Sequence, residues 1–262
     1  MKKYFLIYRR LMIANWHVLV SYRSDFVTSI LSSLMFSSYH LITVLLLTYK
    51  VPAVYGWTRS ELLLLASTYS VFVGFYHAFI SRNLGQLADE IYYGRLDYVL
   101  LKPIDSQVAT TMWQINYVSL VRVIFGLCLS WYFINSMHIS ITLGTVMTYI
   151  VVIISGIFIL YSFWLPFISL MIFNPRLSNI VMLLYNVINI ARYPREMYAR
   201  LPVYIFAPLI PLAIILTTPT KILLQKFSFF MGIELLSVCV ILGLFARFIW
   251  KYSLRYYTSA SS

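Results

Sequence analysis

The residues able to do chemistry are few and scattered. The 262-residue chain holds eight Asp or Glu, four His and two Cys against twenty Lys or Arg, a formal net charge of +12. His40, His77 and Glu234 stand inside apolar runs, where an ionisable side chain is costly and needs a partner or a polar pathway. Glu234, in the outer half of the last run, is the best candidate for an intramembrane polar site, and a simple pair with Arg200 or Lys226 accounts for it equally well. His40 and His77 fall on neighbouring spans, where they either line a pathway or make isolated hydrogen bonds between helices. Arg122 has the position of a side chain that snorkels to the membrane surface. Arg192, Arg195 and Arg200 crowd one segment and would attract an anionic cargo or a lipid headgroup at an exit, although a plain external loop suits them as well. No GxxxxGK[ST] phosphate loop, HExxH, GxSxG or cluster of metal ligands is present, so the sequence offers no support for catalysis, a cofactor or a metal on this chain. Cys128 and Cys239 lie in apolar runs without a CxxC spacing and read as small core residues.

The elements that must position these residues follow from composition. With 61% hydrophobic and 11% charged residues, the chain has too little polar surface to coat a soluble globule, where about a quarter of residues are charged. Continuous apolar runs of about 20 residues, the length that crosses a hydrocarbon core of about 30 Å, exclude the alternating pattern of a membrane β-barrel. The expectation is an all-α integral membrane protein with about six transmembrane helices in one domain spanning residues 1–262. The basic side chains gather at the ends of apolar runs, which points to anionic lipid and away from nucleic acid.

Residues 1–25 carry Lys2, Lys3, Arg9, Arg10 and His17 near one spacing and Phe5, Tyr8, Met12, Trp16 and Leu19 on another face, the pattern of an interfacial amphipathic helix. Arg9 and Arg10 interrupt any signal-peptide core, so this segment reads as retained. Spans are expected from Phe26 to Tyr49, Glu61 to Ile80, Tyr117 to Phe133 and Ile141 to Phe173, the last with a kink at Pro166. A short piece from Asn179 to Ile190 needs its flanks to cross, and a final span runs from Phe227 to Trp250. Pro202, Pro208, Pro211 and Pro219 argue against a straight helix and for a re-entrant external pair within residues 193–221. Between the second and third spans, residues 82–104 concentrate the acidic side chains; Leu84, Leu87 and Ile91 mark a helical face, and Gly94 a helix stop. Charge bias places this segment and both termini in the cytoplasm, with Lys50, Arg59, Lys221 and Lys226 outside.

Tyr93-Gly94-Arg95-Leu96-Asp97 running on to Leu100-Leu101-Lys102-Pro103-Ile104 resembles the G-x-L-D-x-x-L-x-(K/R)-P segment of a branch of type-2 ATP-binding-cassette (ABC) export permeases. Arg192-Tyr193-Pro194, Met197-Tyr198, Ile210-Pro211-Leu212-Ala213 and Pro219 are similar to that branch's R-Y-P … I-P-x-A external pattern, and the order of spans matches over nearly the whole chain. The resemblance implies a permease subunit in a bacterial cytoplasmic membrane, paired with a second, identical or homologous permease chain. ATP and magnesium would then bind a separate ATPase subunit. It also implies that residues 82–104 form the coupling element, with Leu84, Leu87, Asp89, Glu90, Ile91, Gly94, Arg95, Leu96 and Asp97 as its working residues. A gradient-driven secondary transporter and a non-transporting membrane scaffold are the competing readings. The first should show repeat symmetry and broken helices in both halves. The cargo is not legible.

Overall fold

The structure, a computed structural model, describes residues 2–21, 23–51, 53–111, 114–198 and 202–258. Twelve α-helices are named in chain order among these residues: α1 (Lys2–Ser21), α2 (Arg23–Leu47), α3 (Arg59–Tyr76), α4 (Arg82–Tyr92), α5 (Asp97–Leu100), α6 (Ser106–Thr111), α7 (Leu120–Ser136), α8 (Leu143–Ser169), α9 (Asn179–Val187), α10 (Arg195–Tyr198), α11 (Val203–Leu223) and α12 (Phe229–Leu254). Strands β1 (Ala53–Val54) and β2 (Trp57–Thr58) form a two-stranded hairpin between α2 and α3. Its turn needs positive φ at both central positions, and Tyr55 and Gly56 adopt φ 53° and 82°.

Five helices are long and apolar enough to cross a membrane: Ser24–Leu47, Arg59–Tyr92, Tyr117–Ser136, Leu143–Ile172 and Phe229–Leu254. The sequence leads one to expect a sixth crossing from Asn179. Here α9 has nine residues, and a 3-10 segment (Ile188–Arg192) and α10 carry the chain onward. Its ends fix its course. Tyr185 approaches Gly85 of α4 at one end, whereas Glu196 meets the hairpin and Lys221 at the other. A break is tolerable at membrane depth because surrounding protein satisfies the backbone.

The prolines do not divide the following segment as expected. Pro208, Pro211 and Pro219 all lie inside the single 21-residue α11, with Pro202 preceding it as the N-cap, so the anticipated pair is instead a four-residue α10 and a long α11. Proline fits helical φ and removes one hydrogen bond, freeing the carbonyl four residues earlier. For Pro219 that carbonyl belongs to Ile215, and it comes 3.5 Å from the position a Cβ would take on Gly156 of α8. Pro166 likewise lies inside α8.

Helix α3 is the axis of the fold: every residue from Glu61 to Gly74 is buried. Its Thr58 N-cap and Glu61 form a capping box, which starts the helix immediately after the hairpin. Ser67 and Gly74 keep one face of it shallow, so α7 lies directly against it, while Ser70 accepts from Ser37 Oγ of α2 at 2.9 Å. A Cβ on Gly126 of α7 would stand 2.7 Å from the Val71 nitrogen and 2.8 Å from the Ser67 carbonyl oxygen. On the other side, α8 packs against α3, α11 and α12. By contrast α2 and α12 turn Phe36, Leu46, Phe230 and Leu244 outward, the composition expected of surfaces against lipid or another membrane helix. Helix α1 is joined to the bundle where the Tyr117 hydroxyl donates to the Met12 carbonyl at 2.9 Å and the Trp16 and Tyr117 rings meet edge to face.

Gly126→Ala forces α7 away from the backbone of α3 and is expected to cost about 1–3 kcal/mol, the usual range for overpacking. Gly144→Ala, where a Cβ meets only Thr142 Oγ1 at 3.7 Å, should leave stability nearly unchanged. Thermal unfolding of both variants in detergent checks this, and equal melting temperatures would contradict the close α3–α7 approach.

Candidate functional site

The segment between the second and third spans is an extension of α3. A π-helical turn (His77–Ser81) joins α3 to α4, so one helical course runs through 34 residues from Arg59 to Tyr92. At about 1.5 Å per residue that is about 51 Å, well beyond an apolar core of about 30 Å. The wide turn directs the Ala78 carbonyl sideways, where the Asn116 backbone N–H donates to it at 2.9 Å. Buried Asn83 ties the returning chain again: its Nδ2 donates to the Gln114 carbonyl at 2.9 Å, and its Oδ1 accepts from the Gln114 N–H at 2.7 Å.

Gly94 ends α4 as the sequence indicates. With φ at 65°, it lets the Gly94 N–H reach the Ile91 carbonyl and the Arg95 N–H reach the Glu90 carbonyl. The chain then turns through α5 to Asp105, whose carboxylate caps α6 by accepting from the Gln107 and Val108 backbone N–H groups. The same carboxylate takes a two-pronged contact from Arg247 of α12, Nη1 to Oδ1 at 2.9 Å and Nη2 to Oδ2 at 2.5 Å. Trp250 Nε1 donates to Ser106 Oγ at 3.1 Å, and the Tyr257 hydroxyl donates to the Gly94 carbonyl at 3.1 Å. The segment is therefore clamped to the end of the last span. The Arg247 hydrogen bond is the main reason the Asp105 carboxyl is held below its usual pKa. The sequence reading missed Asp105, Arg247, Trp250 and Tyr257; an arginine inside an otherwise apolar run was the one signal.

The structure separates the expected working residues of this segment into two groups. Leu84, Leu87, Ile91 and Leu96 are buried and face the body of the protein, where α4 packs on α8 and the turn after it. The helical face read as a contact surface is thus core. Asp89 and Arg95 are exposed, Glu90 and Asp97 half-buried, and the Glu90–Arg95 pair spans 3.4 Å. The outward surface is carried instead by Tyr92, Tyr93, Tyr98 at 71% exposure and Leu101 at 82%. Between α4, α5 and α6 lies a cleft of about 340 Å³ reached by Gln86, Glu90, Tyr98 and Lys102. Burial lowers the Lys102 pKa despite the opposing effect of Glu90.

At the hairpin end the charges are paired. Glu196 accepts from Trp57 Nε1 at 3.0 Å and from Lys221 Nζ at 2.5 Å, while Glu61 binds Lys226 at 2.5 Å. Burial alone would raise the Glu196 pKa, but the hydrogen bonds from Lys221 and Trp57 outweigh it and lower it. Glu234 is bound by Arg195 at 2.5 Å, while Lys226, one of the two cations the sequence suggested, pairs with Glu61 instead. Arg200 lies outside the described residues. The third arginine of that group, Arg192, does not join the loop but turns into the bundle. There it shares a cavity of about 580 Å³ with His40, His77 and Arg122. Arg122 does not snorkel away; its Nε donates to Ser33 Oγ of α2 at 3.0 Å. Among the described residues no group of three or more His, Cys, Asp or Glu could hold a metal ion.

Comparison with protein families matches residues 33–261 to the model described as ABC-2 family transporter protein. The chain belongs to that family. No curated protein and no solved structure matches it. The match covers four of the five long apolar helices in full, most of the first, and the clamped segment, with α1 and the start of α2 before it. An ABC-2 chain is a membrane component of a transporter, and the apolar helices here have the length and composition for that place.

Loss of the clamp should free residues 93–105 without unfolding the spans. Arg247→Gln is expected to raise the rate of proteolytic cleavage in that segment several-fold while the melting temperature falls by only a few degrees. Acid should imitate the mutation. The carboxyl's folded pKa is lowered, so the contribution of the pair is complete at neutral pH and disappears as pH falls through that lowered value. Proteolysis unchanged in the variant would show that Asp105 and Arg247 do not hold the segment.

Proposed function

We propose that this ABC-2 chain is the permease subunit of an exporter whose ATP hydrolysis takes place on a separate ATPase subunit, and that it works as one of two permease chains around a common pathway. The observation that carries this reading is the continuous course from α3 into α4, tied at its far end to α12. A helix of that length, braced at two spans, transmits a push from outside the bilayer, as a mobile loop would not. Residues 82–104 are the coupling element in this account. Their inner face, Leu84, Leu87, Ile91 and Leu96, gives rigidity, and their outer face, Asp89, Tyr92, Tyr93, Arg95, Tyr98 and Leu101, meets the ATPase. A solvent-exposed group of aromatics around an apolar centre has the composition of an interface, since aromatic and arginine anchors supply most of the energy in such contacts.

The end bearing α4 to α6 is cytoplasmic in this reading and the hairpin end external. The chain termini fall with the former, as the basic residues Arg82, Arg95, Lys102, Arg176, Lys251 and Arg255 favour. The membrane is the bacterial cytoplasmic membrane. The pairing at the hairpin end, Glu61 with Lys226 and Glu196 with Lys221 and Trp57, supplies a set of contacts that can break when the external side opens.

The decisive measurement is purification of the full chain from its own membrane in mild detergent, with an ATPase subunit expected to accompany it and saturable ATP hydrolysis expected only in that complex. Tyr98→Ala combined with Leu101→Asp should abolish the association while insertion and melting temperature stay normal. Leu87→Asp, by contrast, should destabilise the chain itself because that side chain is buried. Hydrolysis by the partner-free chain, or a complex indifferent to the Tyr98 and Leu101 changes, would refute the assignment.

A further inference from the structure

The cavity shared by α2, α3, α7 and the segment after α9 is chemically unbalanced. Arg122 and Arg192 both line it, with His40, His77, Tyr69 and Asn189, and no carboxylate stands among its described lining residues. Arginine keeps its charge in any protein environment. The partners of these two are neutral. Arg122 donates to Ser33 Oγ and lies 5.7 Å from the Phe36 ring centre, while Arg192 donates to Asn189 Oδ1 and lies 5.6 Å from that of Tyr69. Hydroxyl, amide and ring contacts satisfy donors and soften the field without cancelling the charge.

Polar atoms are also left without partners. Arg192 Nε and both ring nitrogens of His40 are buried without a hydrogen-bond partner, and His40 is 3% exposed. A buried polar group without a partner costs about 1–3 kcal/mol, and an unpaired charge costs more. Elsewhere among the described residues acidic side chains pair with cations at both ends of the bundle, and none of them lines this cavity. The remaining walls are apolar or aromatic, with Phe36 and Tyr39 on the outer side and Val73 and Ile188 within. Phe36 and Tyr39 are more than half exposed, which leaves the cavity bordered by a surface that suits hydrocarbon.

We propose that this cavity binds the anionic head of an amphiphile, a phosphate, sulfate or carboxylate held between Arg122 and Arg192, with its apolar body along Phe36 and Tyr39. The inference rests on the permease reading in that it gives the cargo its chemical class. The planar guanidinium fork matches the oxygen spacing of such anions, and His40 adds an N–H donor. The site lies between helices on the course from one end of the bundle to the other, where a transported molecule has to be held and released.

The test uses the purified full chain in maltoside detergent, with radiolabelled dodecyl phosphate as the probe and dodecyltrimethylammonium and inorganic phosphate as comparisons. Dodecyl phosphate should bind saturably, at least tenfold more tightly than either comparison. Arg122→Gln and Arg192→Gln should each weaken it at least tenfold, Arg192→Lys less than Arg192→Gln, and Arg59→Gln at the exposed hairpin end not at all. Competition by dihexanoyl phosphatidylglycerol would mark a bilayer lipid as the source of the head group, and its absence a single-chain amphiphile; either supports the site. Equal binding of the ammonium probe, or undiminished binding in the two glutamine variants, overturns the proposal. Equal binding of inorganic phosphate overturns the amphiphile. If a variant fails to fold, the preference of the unmodified chain for phosphate over ammonium still decides. No ATPase takes part, so failure here leaves the permease reading standing, and failure of the ATPase purification leaves the anion site standing.

Discussion

Hydrocarbon offers no hydrogen bonds, and each irregularity in this bundle is arranged around that deficit. Where the π turn frees a carbonyl at Ala78, the Asn116 N–H fills it. Where Pro219 frees the Ile215 carbonyl, Gly156 of α8 packs close beside it and screens it from the surroundings without itself donating a hydrogen bond. The broken stretch from α9 to α10 is packed against α11 and α3. A soluble protein could leave such groups to water; this one must supply a partner or a cover from its own chain.

The same deficit explains why charges gather at the two ends. Asp105 with Arg247 at one end, and Glu61 with Lys226 and Glu196 with Lys221 at the other, stand where water can reach part of each pair. Exposed ion pairs contribute little to stability individually. Their value here is geometric, because each joins elements far apart in sequence and so fixes which helix ends stand together. Rigidity at the α4 end and breakable pairs at the hairpin end are what a protein driven from one side and opening on the other requires. The Arg122–Arg192 cavity differs in bringing two cations together inside the bundle with no carboxylate among its described lining residues.

Much was legible from the residues alone. Long apolar runs can be stable only as membrane helices, so the class and five of the spans followed from length and hydropathy. Gly94 was readable as a helix stop because few other residues take positive φ. The family resemblance rested on residues within the matched region, 33–261. Helical periodicity also marked Leu84, Leu87 and Ile91 as one face, which they are.

Periodicity cannot say what an apolar face packs against, and here the body of the chain covers it, leaving Tyr98 and Leu101 outside. Pairings across 39 to 165 positions, such as Glu234 with Arg195 and Glu61 with Lys226, are set by how helices cross and leave no trace in local spacing. The prolines of α11 signalled a break that packing against α8 made unnecessary. Arg192 read as a loop cation because Arg195 and Arg200 crowd the same segment; the turn of the chain after α9 carries it inward instead. Sequence determined which segments must leave water, since transfer free energy depends on composition. Tertiary structure decided which polar groups then find partners, since that depends on distances between segments that sequence does not place side by side.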